Sequence, residues 1–264
     1  MSVVSGLADG CQRVLGAPAL VLGLWVAYVL VPSPVAIDPI DSYVALIEAS
    51  AMDPVPALVS LIWSPDILAH AALMTFLLGG FMDRLARNRA TATFGFFGAC
   101  GMFAFRFARL GLIAAPVYMG VLLWLSPLLR TDRLATAVVL GVVVVLVHVL
   151  FDYAKVRMVV EDRRSAIGAL LASVRFIRRN PGAAITLAVI NAAVAGATWW
   201  LAATFTIGLS AALYAYLLAR ALLRLIFAAS QVALFQSRLA HAGYTARPRA
   251  TWPDSPAAEA ISPR

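Results

Sequence analysis

Apolar positions fall into six long runs: about Pro18–Val35, Ile67–Met82, Leu110–Leu129, Leu134–Phe151, Gly182–Thr204 and Ile207–Phe227. Each approaches the ~20 residues an α-helix needs to cross ~30 Å of hydrocarbon. The fourth holds the β-branched stretch from Gly141 to Val147, which would suit a buried strand, but its length and surroundings predict a helix. The sixth is expected to continue as helix to His241. What lies between the runs differs from gap to gap. Ala36–Asp66 carries Asp38, Asp41, Glu48, Asp53 and Asp66 and no Lys or Arg. Prolines cut it into short pieces, with room for a small interfacial helix around Ser42–Met52. Between the second and third runs, Arg84, Arg87, Arg89, Arg106 and Arg109 oppose only Asp83. Within that gap Thr93–Phe105, rich in Phe and Gly, fits an in-plane helix, a re-entrant piece or an early start to the third span. The tail Ala242–Arg264 is polar and proline-bearing and is expected to be disordered. The pattern therefore predicts an all-α polytopic membrane protein in one domain, residues 1–241. It has about six transmembrane helices plus amphipathic in-plane helices on the cytoplasmic side.

Composition closes off the soluble alternative. Of 264 residues, 62% are hydrophobic and 13% charged, and the mean hydropathy is +0.88. A soluble domain has ~45–50% and ~25%. The net charge of +8 would fit nucleic acid, but these charges flank apolar runs, where they orient spans and meet anionic headgroups. No nucleic-acid partner is expected. Of the 21 Lys and Arg, all but Arg130, Arg133, Arg220 and Arg224 lie outside the spans on the side that holds both termini. The positive-inside rule then places both termini in the cytoplasm. Trp63, Trp124, Trp199 and Trp200 fall near the outer ends of their spans, where amphipathic rings settle. The run Ala17–Val31 could be a signal-peptide core, but no small-residue cleavage site follows it, so it reads as a retained span. Cys11 and Cys100 lack disulfide or zinc spacing.

The most charged gap, Asp152–Arg179, has a fainter relative upstream. Arg106-Phe-Ala-Arg109 and Arg175-Phe-Ile-Arg178 are both R-F-x-R, each 23 residues after an aspartate (Asp83, Asp152) that closes a span, at a constant offset of 69. Either two parallel hairpins repeat, or any basic loop before a span looks this way. In the later copy Ile167, Leu170, Leu171, Val174 and Ile177 recur at helical spacing, while Ser173, Arg175, Arg178 and Arg179 take other faces. Such a helix should lie in the headgroup plane, with Asn180-Pro181-Gly182 turning the chain into the fifth span. Arg175, Arg178, Arg179, Arg106 and Arg109 are the candidate contacts to anionic phospholipid headgroups. The pattern D-Y-A-K-V-R…E-D…A…S-V-R-F at Asp152–Phe176 resembles that of a loose group of uncharacterised bacterial six-helix integral membrane proteins. These look related to the membrane domain attached to some glycerophosphodiester phosphodiesterases. The resemblance covers most of the chain and implies a helical membrane domain; the phosphodiesterase catalytic domain, and so its chemistry, is absent.

Polar groups inside a bilayer are costly and count as functional candidates. Asp66 with His70, and His148 with Asp152, stand four apart and share a helix face, but near opposite membrane surfaces, so one metal cannot use both. Each pair reads as a helix-end hydrogen bond or, less simply, a proton relay. Arg220 sits inside the sixth span one turn deeper than Arg224, and the expected partner is Asp152. Asn191 should make an interhelical hydrogen bond. Ala192, Ala195, Gly196 and Ala197, like Gly79 and Gly80, should admit a close helix. No nucleophile–base arrangement, phosphate-cradling glycine loop or metal-ligand motif appears, so no catalytic residue, metal or cofactor is assigned. The expectation is a non-enzymatic scaffold, accessory subunit or lipid-interacting protein, with a membrane protein partner or second copy as further company. The alternative is a small transporter with its site between spans four, five and six.

Overall fold

Apolar periodicity becomes eight α-helices in the computed structural model, whose described residues are 2–31, 64–125, 133–205 and 210–241 and contain no strand. The acidic segment up to residue 63, with Trp63, lies outside them. So do residues 126–132, the side chains of Arg133 and Trp199, and the tail Ala242–Arg264. The helices are α1 (Val3–Leu15), α2 (Pro18–Leu30), α3 (Pro65–Arg87), α4 (Thr93–Leu125), α5 (Arg133–Val160), α6 (Ala166–Arg179), α7 (Pro181–Phe205) and α8 (Ser210–His241). Five are long and apolar enough to cross a membrane, or six if the bent α1–α2 pair makes one span. Large apolar side chains face outward from several of them: Leu112 is 75% exposed, Trp124 77% and Trp200 62%. A surface of this kind needs lipid around it, so the chain is an all-α polytopic membrane protein.

Two expectations change, and two alternatives left open are decided. The first span is a 13-residue helix, α2, preceded by a second 13-residue helix and bent from it by 80°. Gly16 and Ala17 make the corner, and Pro18 opens α2, where a missing N–H costs nothing. Thr93–Phe105 is the early start of the third span: α4 runs unbroken for 33 residues, about 50 Å, well beyond the hydrocarbon thickness unless tilted. α5 continues to Val160, so Asp152 lies inside a helix and closes nothing; Asp83 likewise lies inside α3. Finally, the 69-residue repeat is one of residue pattern alone. The later copy breaks at Asn180-Pro181, whereas Gly111-Leu112, at the matching positions, continue α4 as helix.

α8 is the hub. Half of its span window is buried inside the protein, against 28% or less in the other candidate spans. One face collects Val14, Leu24, Tyr28, Met74, Phe81 and Leu85 around Leu217–Ala229, binding α1, α2 and α3. Its next turns offer Val232 and Phe235 to Phe103, Phe107, Tyr153 and Phe176, binding α4, α5 and α6. The Phe176 ring lies 4.9 Å from Tyr153, tilted, and 5.0 Å from Phe235, edge to face, so one aromatic cluster joins α5, α6 and α8.

The α3–α4 hairpin closes through Asn88, left-handed at φ 50°, whose N–H caps α3 at Arg84. The expected close approach at Gly79 and Gly80 is present: a Cβ on Gly79 would lie 2.9 Å from the Ala99 carbonyl oxygen. α1 uses the same device against α8, which the sequence reading did not anticipate. A Cβ on Gly10 would stand 2.2 Å from Ser230 Oγ and 2.7 Å from its backbone nitrogen. Arg13, salt-bridged to Asp9 at 2.8 Å, then donates to the Leu85 carbonyl and to Gln236 Oε1, both at 2.9 Å, and fastens α1 to α3 and α8.

Candidate functional site

The arginine-rich end is organised by α6. Ser165 opens the helix by accepting from Gly168 N at 3.1 Å. Small residues let it lie close to its neighbours: Ala166, Ala169, Ala172 and Ser173 are buried together with Phe176. Ser173 Oγ donates back to the Ala169 carbonyl at 2.8 Å, so its hydroxyl is satisfied within the helix. The apolar ridge expected to point one way is split by this close seat. Leu170 and Ile177 lie against the core, while Ile167 (63% exposed), Leu171 (57%) and Val174 face outward. Arg175, Arg178 and Arg179 are exposed at the same end of the helix, Arg175 and Arg178 standing four residues on from Leu171 and Val174 of that outward strip.

Around α6, acids neutralise most of the other cations. Glu161 takes both Arg157, at 3.1 Å, and Arg163. Arg157 also lies over the Phe235 ring at 5.0 Å. Arg106 is a correction to its expected role. Its guanidinium meets the Asp162 carboxylate, stands 5.1 Å from the Phe103 ring centre, and is largely enclosed. A side chain so occupied holds α4 to the turn before α6 and does not reach for headgroups. Arg109 stacks on Phe105 at 4.3 Å.

A second polar group joins α4, α5 and α8. Asp152 receives Lys155 Nζ at 2.8 Å, His148 Nε2 at 3.3 Å and Gln231 Nε2 at 3.3 Å. Tyr118 OH then meets His148 Nδ1 at 3.2 Å, giving a string of four groups from Tyr118 to Lys155. The expected Arg220–Asp152 pair is not formed. Gln231, eleven residues beyond Arg220 on α8, takes that place, so Arg220 lies about 16 Å further along the helix. There Arg220 donates to Tyr216 OH at 3.2 Å and stands over the Tyr28 ring at 6.0 Å. Arg224 donates to Tyr28 OH at 3.0 Å. The other inner acids are also engaged: Asp83 by Arg87 at 2.9 Å, and Glu161 as above.

His148 and Asp152 do pair across one turn, but inside α5 and not at its end. His70 turns away from Asp66: its Nδ1 meets the Val31 carbonyl oxygen at 2.7 Å and its ring stacks on Tyr28. Asn191 is buried, yet its Oδ1 has no hydrogen-bond partner among the described residues, in place of the interhelical bond expected. Ala192, Ala195, Gly196 and Ala197 are exposed and meet no close helix among the described residues. Among the described residues no three His, Cys, Asp or Glu converge where they could hold a metal. No family model matches the chain, and no curated protein or solved structure does.

Proposed function

We propose that this is a non-enzymatic multi-pass protein of a bacterial inner membrane, with both termini cytoplasmic. It serves as a scaffold, accessory subunit or lipid-interacting protein, and its α6 rests on anionic phospholipid headgroups. One observation carries this reading: the outward strip Ile167, Leu171 and Val174 runs into three exposed arginines that no acid of the described residues neutralises. An apolar strip beside cations is the pattern by which helices lie in a membrane surface. Each arginine contributes ~1 kcal/mol near an anionic leaflet, so three give roughly fivefold preference each over a neutral one. The resemblance of Asp152–Phe176 to bacterial six-helix membrane proteins supports the same assignment. The test is lipid preference in nanodiscs made from mixed phosphatidylglycerol and phosphatidylcholine. The wild type should enrich phosphatidylglycerol around itself, and Arg175→Gln/Arg178→Gln/Arg179→Gln should abolish most of that enrichment. Equal enrichment by both proteins would refute the role of α6.

A small transporter is the second reading, and the string Tyr118–His148–Asp152–Lys155 is what favours it. Its site would then lie between α4, α5 and α8, the third, fourth and sixth spans, with the fifth not contributing. A pH-driven flux in proteoliposomes that Asp152→Asn removes would establish it in place of the scaffold.

A further inference from the structure

We infer that the cleft between the middle of α4 and the start of α6 binds one anionic phospholipid. Its phosphate is held between Arg109 and Arg164, and its first acyl carbons lie against Leu112, Ile113 and Ile167. The inference rests on the reading that this end of the bundle meets anionic lipid, but on different residues from the three arginines of α6. The cleft has a volume of about 560 Å³ and opens outward, within the range of sites that hold a small ligand. A glycerophosphate head with the first carbons of two chains fills such a space, and the remaining chain follows the exposed apolar flank of the spans.

The two cations come from separate elements, and the fold sets their spacing. Arg106, one turn before Arg109, grips Asp162, two residues before Arg164. That ion pair ties α4 to the turn ahead of α6, so the cleft is a built feature and not a chance meeting of flexible side chains. Neighbouring cations are paired: Arg106 with Asp162, Lys155 with Asp152, and Arg157 and Arg163 together with the one carboxylate of Glu161. Among the described residues no carboxylate meets Arg109 or Arg164. The Phe105 ring beneath Arg109 orients its guanidinium without cancelling its charge. Two arginines border the one cleft, and a planar guanidinium fork matches the oxygens of a phosphate. Ser165 adds a donor, because its oxygen already accepts from Gly168 N and its O–H is left to give. The first turn of α6 adds its positive field.

The apolar wall selects the source of the phosphate. Leu112 and Ile167 are among the most exposed large side chains of the chain, and both border the arginines. Free phosphate would use none of that wall, whereas a lipid uses the cations and the wall together. The head should carry net negative charge, because a quaternary ammonium would sit beside two guanidinium groups.

Native mass spectrometry of the full-length, delipidated protein in mild detergent tests the inference. The probes are phosphatidylglycerol, phosphatidylcholine and inorganic phosphate. The wild type should retain one phosphatidylglycerol in preference to phosphatidylcholine. Arg164→Gln removes no ion pair or hydrogen bond among the described residues and should weaken that site about fivefold. Arg109→Gln added to it should weaken binding by roughly twentyfold in all. Arg164→Lys should fall between wild type and Arg164→Gln. The α6 variant Arg175→Gln/Arg178→Gln/Arg179→Gln should keep this single lipid, so loss of the general anionic preference and loss of this site are read apart. Circular dichroism and gel filtration establish that each variant is folded. Unchanged retention by folded Arg164→Gln and by the double variant would overturn the inference. So would equal retention of phosphatidylcholine, or displacement of the lipid by millimolar inorganic phosphate.

Discussion

Asp152 shows how far a single side chain can be placed from sequence. Its rarity inside an apolar stretch marks it as a residue needing partners. Helical spacing correctly supplies one of them, His148, four residues before. Lys155, three residues on, was equally local and forms the shortest of the three contacts. The long-range partner was misassigned because the register of α8 against α5 is set by Phe235 and Val232 in the aromatic core, which no local pattern encodes. Gln231 reaches Asp152 while Arg220 goes to two tyrosines. Two variants decide between these arrangements. Replacing Asp152 by Asn leaves Lys155 without its anion and should destabilise the protein by ~1–3 kcal/mol, read as loss of thermal stability in detergent. Combined with Arg220→Gln, the effect should be additive within ~0.5 kcal/mol, since sites this far apart do not couple. A coupling well above that would restore the Arg220–Asp152 pair.

Among the elements, α1 is the one whose attachment is most open to attack. Gly10 presses on the Ser230 backbone, whereas Gly23 of α2 faces open space. Gly10→Val should therefore overpack the α1–α8 contact by ~1–3 kcal/mol, and Gly23→Val should not. Cys11, next to Gly10 and half-buried, reports the outcome: maleimide labelling should be faster in Gly10→Val and unchanged in Gly23→Val. The spacing Gly6-x-x-x-Gly10, with Asp9 and Arg13 four apart, was a readable signal for this helix. It was overlooked because α1 is not apolar enough to stand out beside the spans. The beginning of α4 was illegible for another reason. Thr93–Phe105 is apolar all round, so no face declares itself, and the arginines that follow look like a membrane boundary. Only the contact from Arg106 to Asp162, 56 residues away, shows that the first of these charges is satisfied within the protein. α6, by contrast, was legible at its far end, where Asn180-Pro181 stops it, while its start is set by the Ser165 cap that the structure shows.

Taken together, the eight helices form two apolar clusters that share α8, with the acids at the arginine-rich end paired to nearby cations and two of them, Asp152 and Asp162, also joining separate elements. The arginines left over, on α6 and beside the cleft of α4, face outward next to apolar side chains. The spans and their lipid-facing surface followed from composition and run length alone, because those depend on no long-range contact. The use of the leftover arginines depends on which cations the fold neutralises, and that emerges only from the assembled bundle. The most direct check is the depth of α6 in a bilayer. A nitroxide placed at residue 171 or 178, in a Cys11→Ser/Cys100→Ala background, is reconstituted in liposomes containing phosphatidylglycerol. At both positions, which share one face of α6, the label should relax faster with oxygen than with a water-soluble nickel chelate. Faster relaxation with the nickel chelate at both positions would place α6 in water, off the membrane, and contradict its role as a headgroup-binding helix.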